Sequence, residues 1–528
     1  MLFNSVEFIF LFLPITLLFF FVSGSLGYYR LAIVCLVAAS LTFYSWFNPI
    51  YLSLLLCSII FNYSIGSVLS KQPDNKKVIL ICGVIVNLIS IGYFKYANFF
   101  LNSVNSLISI NFNLEKIILP LAISFFTFQQ IAYLVDSYRG ETKKYNFLDY
   151  CLFVTFFPQL IAGPIIHHAE IMPQFADKKI YRFNPEDMAV GMTIFSLGLF
   201  KKLMLADNIS LYATPIFNAA AKGIAPTFLE AWIAALAYTL QLYFDFSGYS
   251  DMAIGIARMF GIKLPINFNS PYKAVNISDF WRRWHITLSN FLRDYLYIPL
   301  GGNRQGKLRR NLNLMITMLL GGLWHGAGWT YIFWGGLHGA YLIINHQWRS
   351  LRKTWGHDLK NTHWFNQGLS WLVTFTCVIV SWVFFRAENM SSGLIVLKGM
   401  MGMNGVSLPS SLSKILGFTA NWGVQFDGSL PLFKAQAVPT MLPIILIILL
   451  LAIAWYAPNI QEWMYEYDPV LNHDKKSQSF FNKNFGNSKL WNLLKWQPNK
   501  FWALTISALT AISLLNLTRV SEFLYFQF

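Results

Sequence analysis

The sequence predicts an all-α, polytopic membrane protein of about 10–12 transmembrane helices, with re-entrant or broken helices among them. Three observations carry this. Charged residues make up 12% of the 528, about half of what a soluble domain carries. Hydrophobic residues reach 55%. Uncharged apolar runs of about twenty residues recur along the chain, the length a helix needs to cross a bilayer. These runs do not alternate, which excludes the strands of a closed β-barrel, the other spanning solution.

Taken in order, the predicted spans are 6–25, 29–48, 50–70, 78–96, 116–136, 188–207, 227–247, 367–387, 439–457 and 501–519. Two further apolar regions, 148–166 and 312–346, are interrupted by Gly and Pro. They read as re-entrant or broken helices, which membranes tolerate only where protein or a water-filled cavity surrounds the backbone. No Lys or Arg occurs between Met1 and Tyr29, so the first segment lacks the basic start of a secretory signal. It reads as a retained span beginning outside.

The 40 Lys and Arg against 24 Asp and Glu leave a net charge of +16. The cations gather in loops: Lys71, Lys76 and Lys77; Arg139, Lys143 and Lys144; Lys178, Lys179 and Arg182; 273–310; 349–360; 475–500. The span order puts all of these on one side if 148–166 and 312–346 each enter and leave by the same face. That is the cytoplasmic side by the Lys/Arg bias, and no nucleic-acid partner is needed to explain the charge. The charge-poor stretch 388–438 then lies outside, and the closing residues 523–528 end near the outer interface. Cys35, Cys57, Cys82, Cys151 and Cys377 lie in apolar segments with no C-x-x-C spacing, and read as small packing residues.

The candidate chemistry centres on His325, in Gly321-Gly322-Leu323-Trp324-His325-Gly326-Ala327-Gly328-Trp329. An ionisable ring at membrane depth is a functional-site candidate, because burying it without a partner costs several kcal/mol, on the order of 2–7. The surrounding glycines either leave room for a substrate beside the ring or let helices pack closely. His285 lies in Ile277-Ser278-Asp279-Phe280-Trp281-Arg282-Arg283-Trp284-His285. Ser278 reads as an N-cap there, and helical spacing puts Trp281, His285, Leu288, Leu292 and Tyr295 on one face of an amphipathic interfacial helix. A neutral imidazole can take the proton of an alcohol attacking an acyl thioester, while a second polar group orients it or stabilises the oxyanion. His325 is assigned the first role and His285 the second.

Other residues are read more broadly. Trp324, Trp281, Asp245 and Asp251 are candidates for lining a substrate tunnel. For the two carboxylates the alternative is ion pairing to the arginine-rich segment 282–310. Arg304, Lys307, Arg309 and Arg310 form a dense cationic stretch. It reads as a docking site for a phosphate-bearing acyl donor or an acidic carrier, or as a topological signal alone. His338 lies thirteen residues past His325, about 220° away on an unbroken helix, and reads as a packing or hydrogen-bonded histidine. His167-His168 with Glu170 lacks the further spacing of a metal motif, so no metal is expected and the loop reads as polar lining at a tunnel mouth. Asp136 has Arg139 as a charge partner at i+3.

These motifs resemble those of the membrane-bound O-acyltransferase family, in its bacterial alginate-O-acetylase branch. The pieces that carry the resemblance are 157–164 (FPQLIAGP), 243–251 (YFDFSGYSD), 267–272 (NFNSPY), 280–285 (FWRRWH), 297–302 (YIPLGG) and 322–326 (GLWHG). The resemblance runs over the whole chain, as one integral membrane domain (1–528) with a motif-bearing core at about 116–346. It implies acyl transfer, most simply of acetyl, from a cytoplasmic thioester such as acetyl-CoA across the bacterial inner membrane to an exported polysaccharide. His325 matches the family's catalytic histidine and His285 its second histidine. It also implies a periplasmic partner of the SGNH-esterase type and no bound cofactor. Alginate, peptidoglycan, cellulose and teichoic acid all remain open as acceptors. A non-enzymatic glycan transporter and an envelope scaffold are the competing readings.

Overall fold

The computed structural model describes residues 1–108, 115, 117–142, 145–161, 163–358, 363–408, 410–426, 432, 441–471 and 495–518. Lys143, Lys144, most of the basic stretch 475–500 and the closing 523–528 lie outside the described residues. The chain divides into two compact units: 1–200 with 248–266 and 458–519, and 201–247 with 267–457 and 520–528.

The predicted helical class holds, and each of the ten segments read as spans overlaps a helix, although 117–122 of the span at 116–136 are not helical. Among the described residues, five helices are long and apolar enough to cross a membrane: Phe8–Ser25, Ile50–Leu69, Lys76–Ile108, Pro185–Ala221 and Trp364–Arg386. The spans at 29–48, 439–457 and 501–519 correspond to shorter apolar helices, Tyr29–Ser45, Met441–Tyr456 and Lys500–Leu515. Those at 116–136 and 227–247 correspond to Ile123–Arg139 and Phe228–Met259. The stretch 388–438 contains a helix the hydropathy pattern did not reveal, Met390–Met400, capped by Asn389, whose side chain accepts from Ser392 N–H. Two-residue strands at Val406–Ser407 and Val424–Gln425 pair in parallel. The five cysteines are free thiols, two of them exposed.

In the first unit, small residues set the helix spacing. A Cβ on Gly66 would lie 2.1 Å from the Tyr133 ring, and one on Gly198 would lie 2.5 Å from the Gly248 carbonyl. Phe3, Phe8, Phe43, Phe157 and Tyr249 form one ring cluster, with centroids 4.7–6.0 Å apart. The region 148–166 is broken as predicted: Phe147–Thr155 and Phe157–Leu160 meet at Phe156, which is extended (ψ 106°).

The second unit holds both singled-out histidines. Its core packs residues 231–246, residues 268–284 and Trp364–Arg386 around Trp334, Trp382, Phe246 and Trp284. The region 312–346 is a helical hairpin, Gly306–His325 and Trp329–Thr354, turning at residues 326–328. Close approaches at 322 with 331, at 318 with 335 and at 315 with 339 make the pair antiparallel.

Candidate acyltransferase site

His325 ends the first helix of the hairpin, and the extended Gly326 stops it there (φ −161°). The ring is buried at 5% exposure. Trp324, Trp334 and Phe385 surround it, with centroids at 4.9, 5.1 and 5.3 Å, all edge-on. The glycines here serve close packing. A Cβ on Gly322 would meet the Tyr331 carbonyl at 2.3 Å, one on Gly335 the Met318 carbonyl at 2.2 Å, and one on Gly326 the Tyr331 ring at 2.2 Å. At Gly322 and Gly326 the reading that the glycines leave room for substrate is therefore corrected, because the opposite helix fills that space.

His285 is fully buried and not mid-helix. The continuous amphipathic helix predicted across this motif is two short ones, Ile277–Trp281 and Ile286–Leu292, and His285 occupies the break in the left-handed region (φ 42°, ψ 55°). Such a conformation costs a non-glycine residue about 1–3 kcal/mol and survives only where the surroundings impose it. The cap is also corrected. Asn276 accepts from Asp279 N–H, whereas Ser278 Oγ accepts from Asn345 Nδ2 at 2.8 Å.

What imposes the break is the segment 267–272. Asn269 N–H donates to the Arg283 carbonyl at 2.9 Å, and Ile286 N–H donates to the Asn267 carbonyl at 3.0 Å. The two backbones thus run side by side, and Asn267 lies against His285. Asn267 Oδ1 accepts from His285 Nδ1 at 3.1 Å, and from the Thr287 hydroxyl and N–H at 3.0 and 3.4 Å. The backbone donor fixes which way the amide points. A ring donating from Nδ1 and buried without charge leaves Nε2 as the basic nitrogen.

The two histidines come together, with ring centroids 6.2 Å apart. Trp324 touches both, at 4.9 Å from His325 and 6.1 Å from His285. Phe246 closes the other side of His285 at 4.8 Å. Trp281 lies one layer away. It packs on Trp334 at 5.9 Å and its N–H donates to His338 Nδ1 at 3.3 Å. With Nδ1 accepting, His338 donates from Nε2 to Ser381 Oγ at 2.9 Å, and Ser381 donates to the Val378 carbonyl. The turn at 326–328 replaces the unbroken helix, so His325 and His338 face the same indole, Trp334, at 5.1 and 4.9 Å.

Asp245 is buried, but not against the arginines of 282–310. Its partner is Lys202 at 2.6 Å, which also bonds Asp207 at 2.7 Å. Sequence reading passed over Lys202 because it stood at a span end. The signal was a lysine with an aspartate five residues on. Asp251 is buried in the 248–266 part of the first unit. Arg304, Lys307 and Arg309 are exposed around the start of the hairpin, and Arg310 is half-buried.

In the first unit, Asp136, His167 and His168 present ligand-type atoms within 4.8 Å of one another. Both Nε2 atoms face Asp136 Oδ2, at 2.6 and 3.1 Å. The Tyr145 hydroxyl bonds His168 Nδ1 at 3.0 Å, and Ala169 N–H donates to His167 Nδ1 at 3.3 Å. Hydrogen bonding alone thus employs both rings. Arg139 reaches Asp136 Oδ1 at 3.7 Å, the i+3 pair expected.

Residues 116–385 match the model of the MBOAT, or membrane-bound O-acyltransferase, family, which spans the hairpin and both histidine segments. The chain is a membrane-bound O-acyltransferase. This acyltransferase is 49% identical over 445 residues to a peptidoglycan O-acetyltransferase of Helicobacter pylori, covering 77% of the chain and 81% of that protein. It is 44% identical over 398 residues to a probable alginate O-acetylase of Pseudomonas aeruginosa, covering 74% and 73%. It is 29% identical over 234 residues to a teichoic acid D-alanyltransferase of Bacillus subtilis, covering 42% and 58%. Together with the apolar helices, the family makes it a multi-pass membrane protein.

Proposed function

We propose that this acyltransferase moves an acetyl group from a cytoplasmic thioester, such as acetyl-CoA, across the bacterial inner membrane to hydroxyls of an exported polysaccharide. The meeting of His285 and His325 in one buried aromatic pocket carries this reading. His325 takes the proton of the acceptor hydroxyl as its oxygen attacks the thioester carbonyl. The C–S bond of the tetrahedral intermediate then breaks, and the leaving thiolate takes the proton back from the imidazole. His285, held by Asn267 with Nε2 as an acceptor, favours the positive charge that develops on His325. The Asn267 amide nitrogen is buried without a partner among the described residues, and a polar substrate group would complete it.

Of the four cations, the exposed Arg304 and Arg309 suit a phosphate-bearing donor arriving from the cytoplasm, and no resident cofactor is required. An SGNH-type periplasmic partner would hand the acyl group to the polymer. The names of the relatives favour peptidoglycan and alginate as acceptors, with teichoic acid and cellulose further off. The test is reconstituted protein supplied with labelled acetyl-CoA and the candidate polymers, with and without the partner. His325→Ala should stay folded and inserted yet transfer no label; label retained on the polymer with that variant would sink the reading.

A further inference from the structure

At the open end of the hairpin, opposite the turn, a cavity of about 320 Å³ lies between the first turns of Gly306–His325 and the last turns of Trp329–Thr354. Lys307, Arg310 and His346 line it, with the polar Asn311, Gln347 and Ser350, and no lining residue carries a carboxylate. Arg349 and Arg282 also lie close enough for their charges to act on His346. Among the described residues, the side-chain bonds of Arg310 are long ones to its neighbour Asn311, at 3.2–3.4 Å. Positive charge is therefore gathered around a concavity with no carboxylate in its lining. A topological signal needs cations in a loop but no cavity. The first turn of the 20-residue helix adds its unpaired N–H groups, which also favour an anion.

The rim separates one kind of anion from another. Leu308 (86% exposed) and Leu312 (47%) flank the cations on the first helix. Ile344, Trp348, Leu351 and Trp355 form an exposed apolar stripe beside them on the second, with Leu351 reaching the cavity. Trp348 and Trp355 meet edge-on at 6.0 Å, as indoles do at a membrane interface. A soluble phosphate has no use for this rim, whereas a phosphodiester with acyl chains matches both parts. Its lining residues Lys307, Arg310 and Asn311 lie about 21–27 Å along the helix from His325, at 1.5 Å per residue. That is most of the hydrocarbon thickness of a bilayer, so a headgroup bound there does not touch the reacting groups. The Lys/Arg bias puts this end in the cytoplasmic leaflet, where anionic lipids are bound by basic pockets between helices.

We propose that this cavity binds the phosphodiester headgroup of an anionic phospholipid. The site does not rest on the acyl-transfer reading, because lipid retention is measured with no donor present. Full-length protein is titrated with phosphatidylglycerol, cardiolipin, phosphatidylcholine, coenzyme A and inorganic pyrophosphate, and followed by native mass spectrometry and thermal unfolding. Anionic lipid should stay bound and raise the midpoint by several degrees, while the zwitterionic lipid and both soluble phosphates should not. Lys307→Gln with Arg310→Gln should abolish both effects. Ser350→Asp should do the same by placing a carboxylate in the cavity, which covers failure of the double variant to fold. Arg352→Gln with Lys353→Gln removes the same charge outside the lining and should retain lipid. Equal retention by all variants, or equal protection by coenzyme A, overturns the proposal.

Discussion

Asn267 Oδ1 accepts from His285 Nδ1 at 3.1 Å and from both donors of Thr287, so one amide oxygen decides which nitrogen of a buried histidine is basic. Replacing it with an apolar residue removes the shared acceptor of three buried donors, costs about 1–3 kcal/mol or more, and frees His285 to rotate or change tautomer. Asn267→Leu should therefore lower kcat about 10- to 100-fold, using roughly 1.4 kcal/mol per tenfold. Asn267→Asp keeps an acceptor in place and should recover much of the loss. If the Leu and Asp variants are equally impaired relative to their unfolding midpoints, Asn267 does not act by orienting His285.

The glycines of the hairpin make separable predictions. Gly335→Ala drives a Cβ into the backbone carbonyl of Met318, which cannot yield without parting the helices. Gly326→Ala meets the Tyr331 ring, which rests on Phe385 at 5.2 Å, itself 5.3 Å from His325. The first should cost mainly stability, about 1–3 kcal/mol from overpacking. The second should cost mainly transfer activity, by shifting the wall of the pocket. Gly368→Ala, with nothing within 4 Å of its Cβ on the Trp364–Arg386 helix, should be neutral or slightly stabilising. Thermal unfolding and initial rates on the three variants separate these effects.

These two cases show where sequence reading reached its limit. Hydropathy and Gly/Pro interruptions made the helices, the break at Phe156 and the hairpin legible, because each depends on local composition. His325 was legible because a polar ring among glycines and indoles is costly anywhere in a membrane. The role of Asn267 was not. It arises from backbone pairing between 267–269 and 283–286, which no periodicity encodes. The same pairing breaks the helix at His285, so the helical wheel drawn through Trp281 and His285 placed both on a face that does not exist. Lys202 was missed for a similar reason, since its value comes from Asp245 on another helix.

Lys202 holds two carboxylates at once, Asp207 at 2.7 Å and Asp245 at 2.6 Å, with its own side chain and that of Asp245 almost fully buried. Removing one member of such a group leaves uncompensated buried charge and costs about 3–5 kcal/mol, whereas removing the whole group with matched apolar residues is often neutral. Lys202→Met should thus be strongly destabilising, with poor yield and a lowered unfolding midpoint. Adding Asp245→Asn and Asp207→Asn to it should restore much of the loss. Additive damage across the triple variant would mean that the carboxylates act elsewhere than on Lys202.

His167 gives the fold a pH dependence whose sign can be worked out. Burial works against its charged form, but the hydrogen bond and charge of Asp136, with Glu170 and Glu141 behind it, outweigh burial and raise its pKa above the ordinary 6.5. Arg139 opposes this by drawing on the same carboxylate, and His168 shares its Oδ2. Protonation turns the 2.6 Å contact with Asp136 into an ion pair and forfeits only the 3.3 Å bond from Ala169. The bond to the Asp136 carboxylate is charge-assisted in both states, so the gain is the attraction of the new positive charge to Asp136, Glu170 and Glu141. A folded-state pKa above the unfolded value means that the contribution is full below about pH 6.5 and is lost as pH rises through the folded value. The midpoint gap between wild type and His167→Gln in detergent should therefore be widest near pH 5.5 and close toward pH 9. Asp136→Asn should remove that slope, and a gap that does not vary with pH would show that the pair carries no charge in the folded protein.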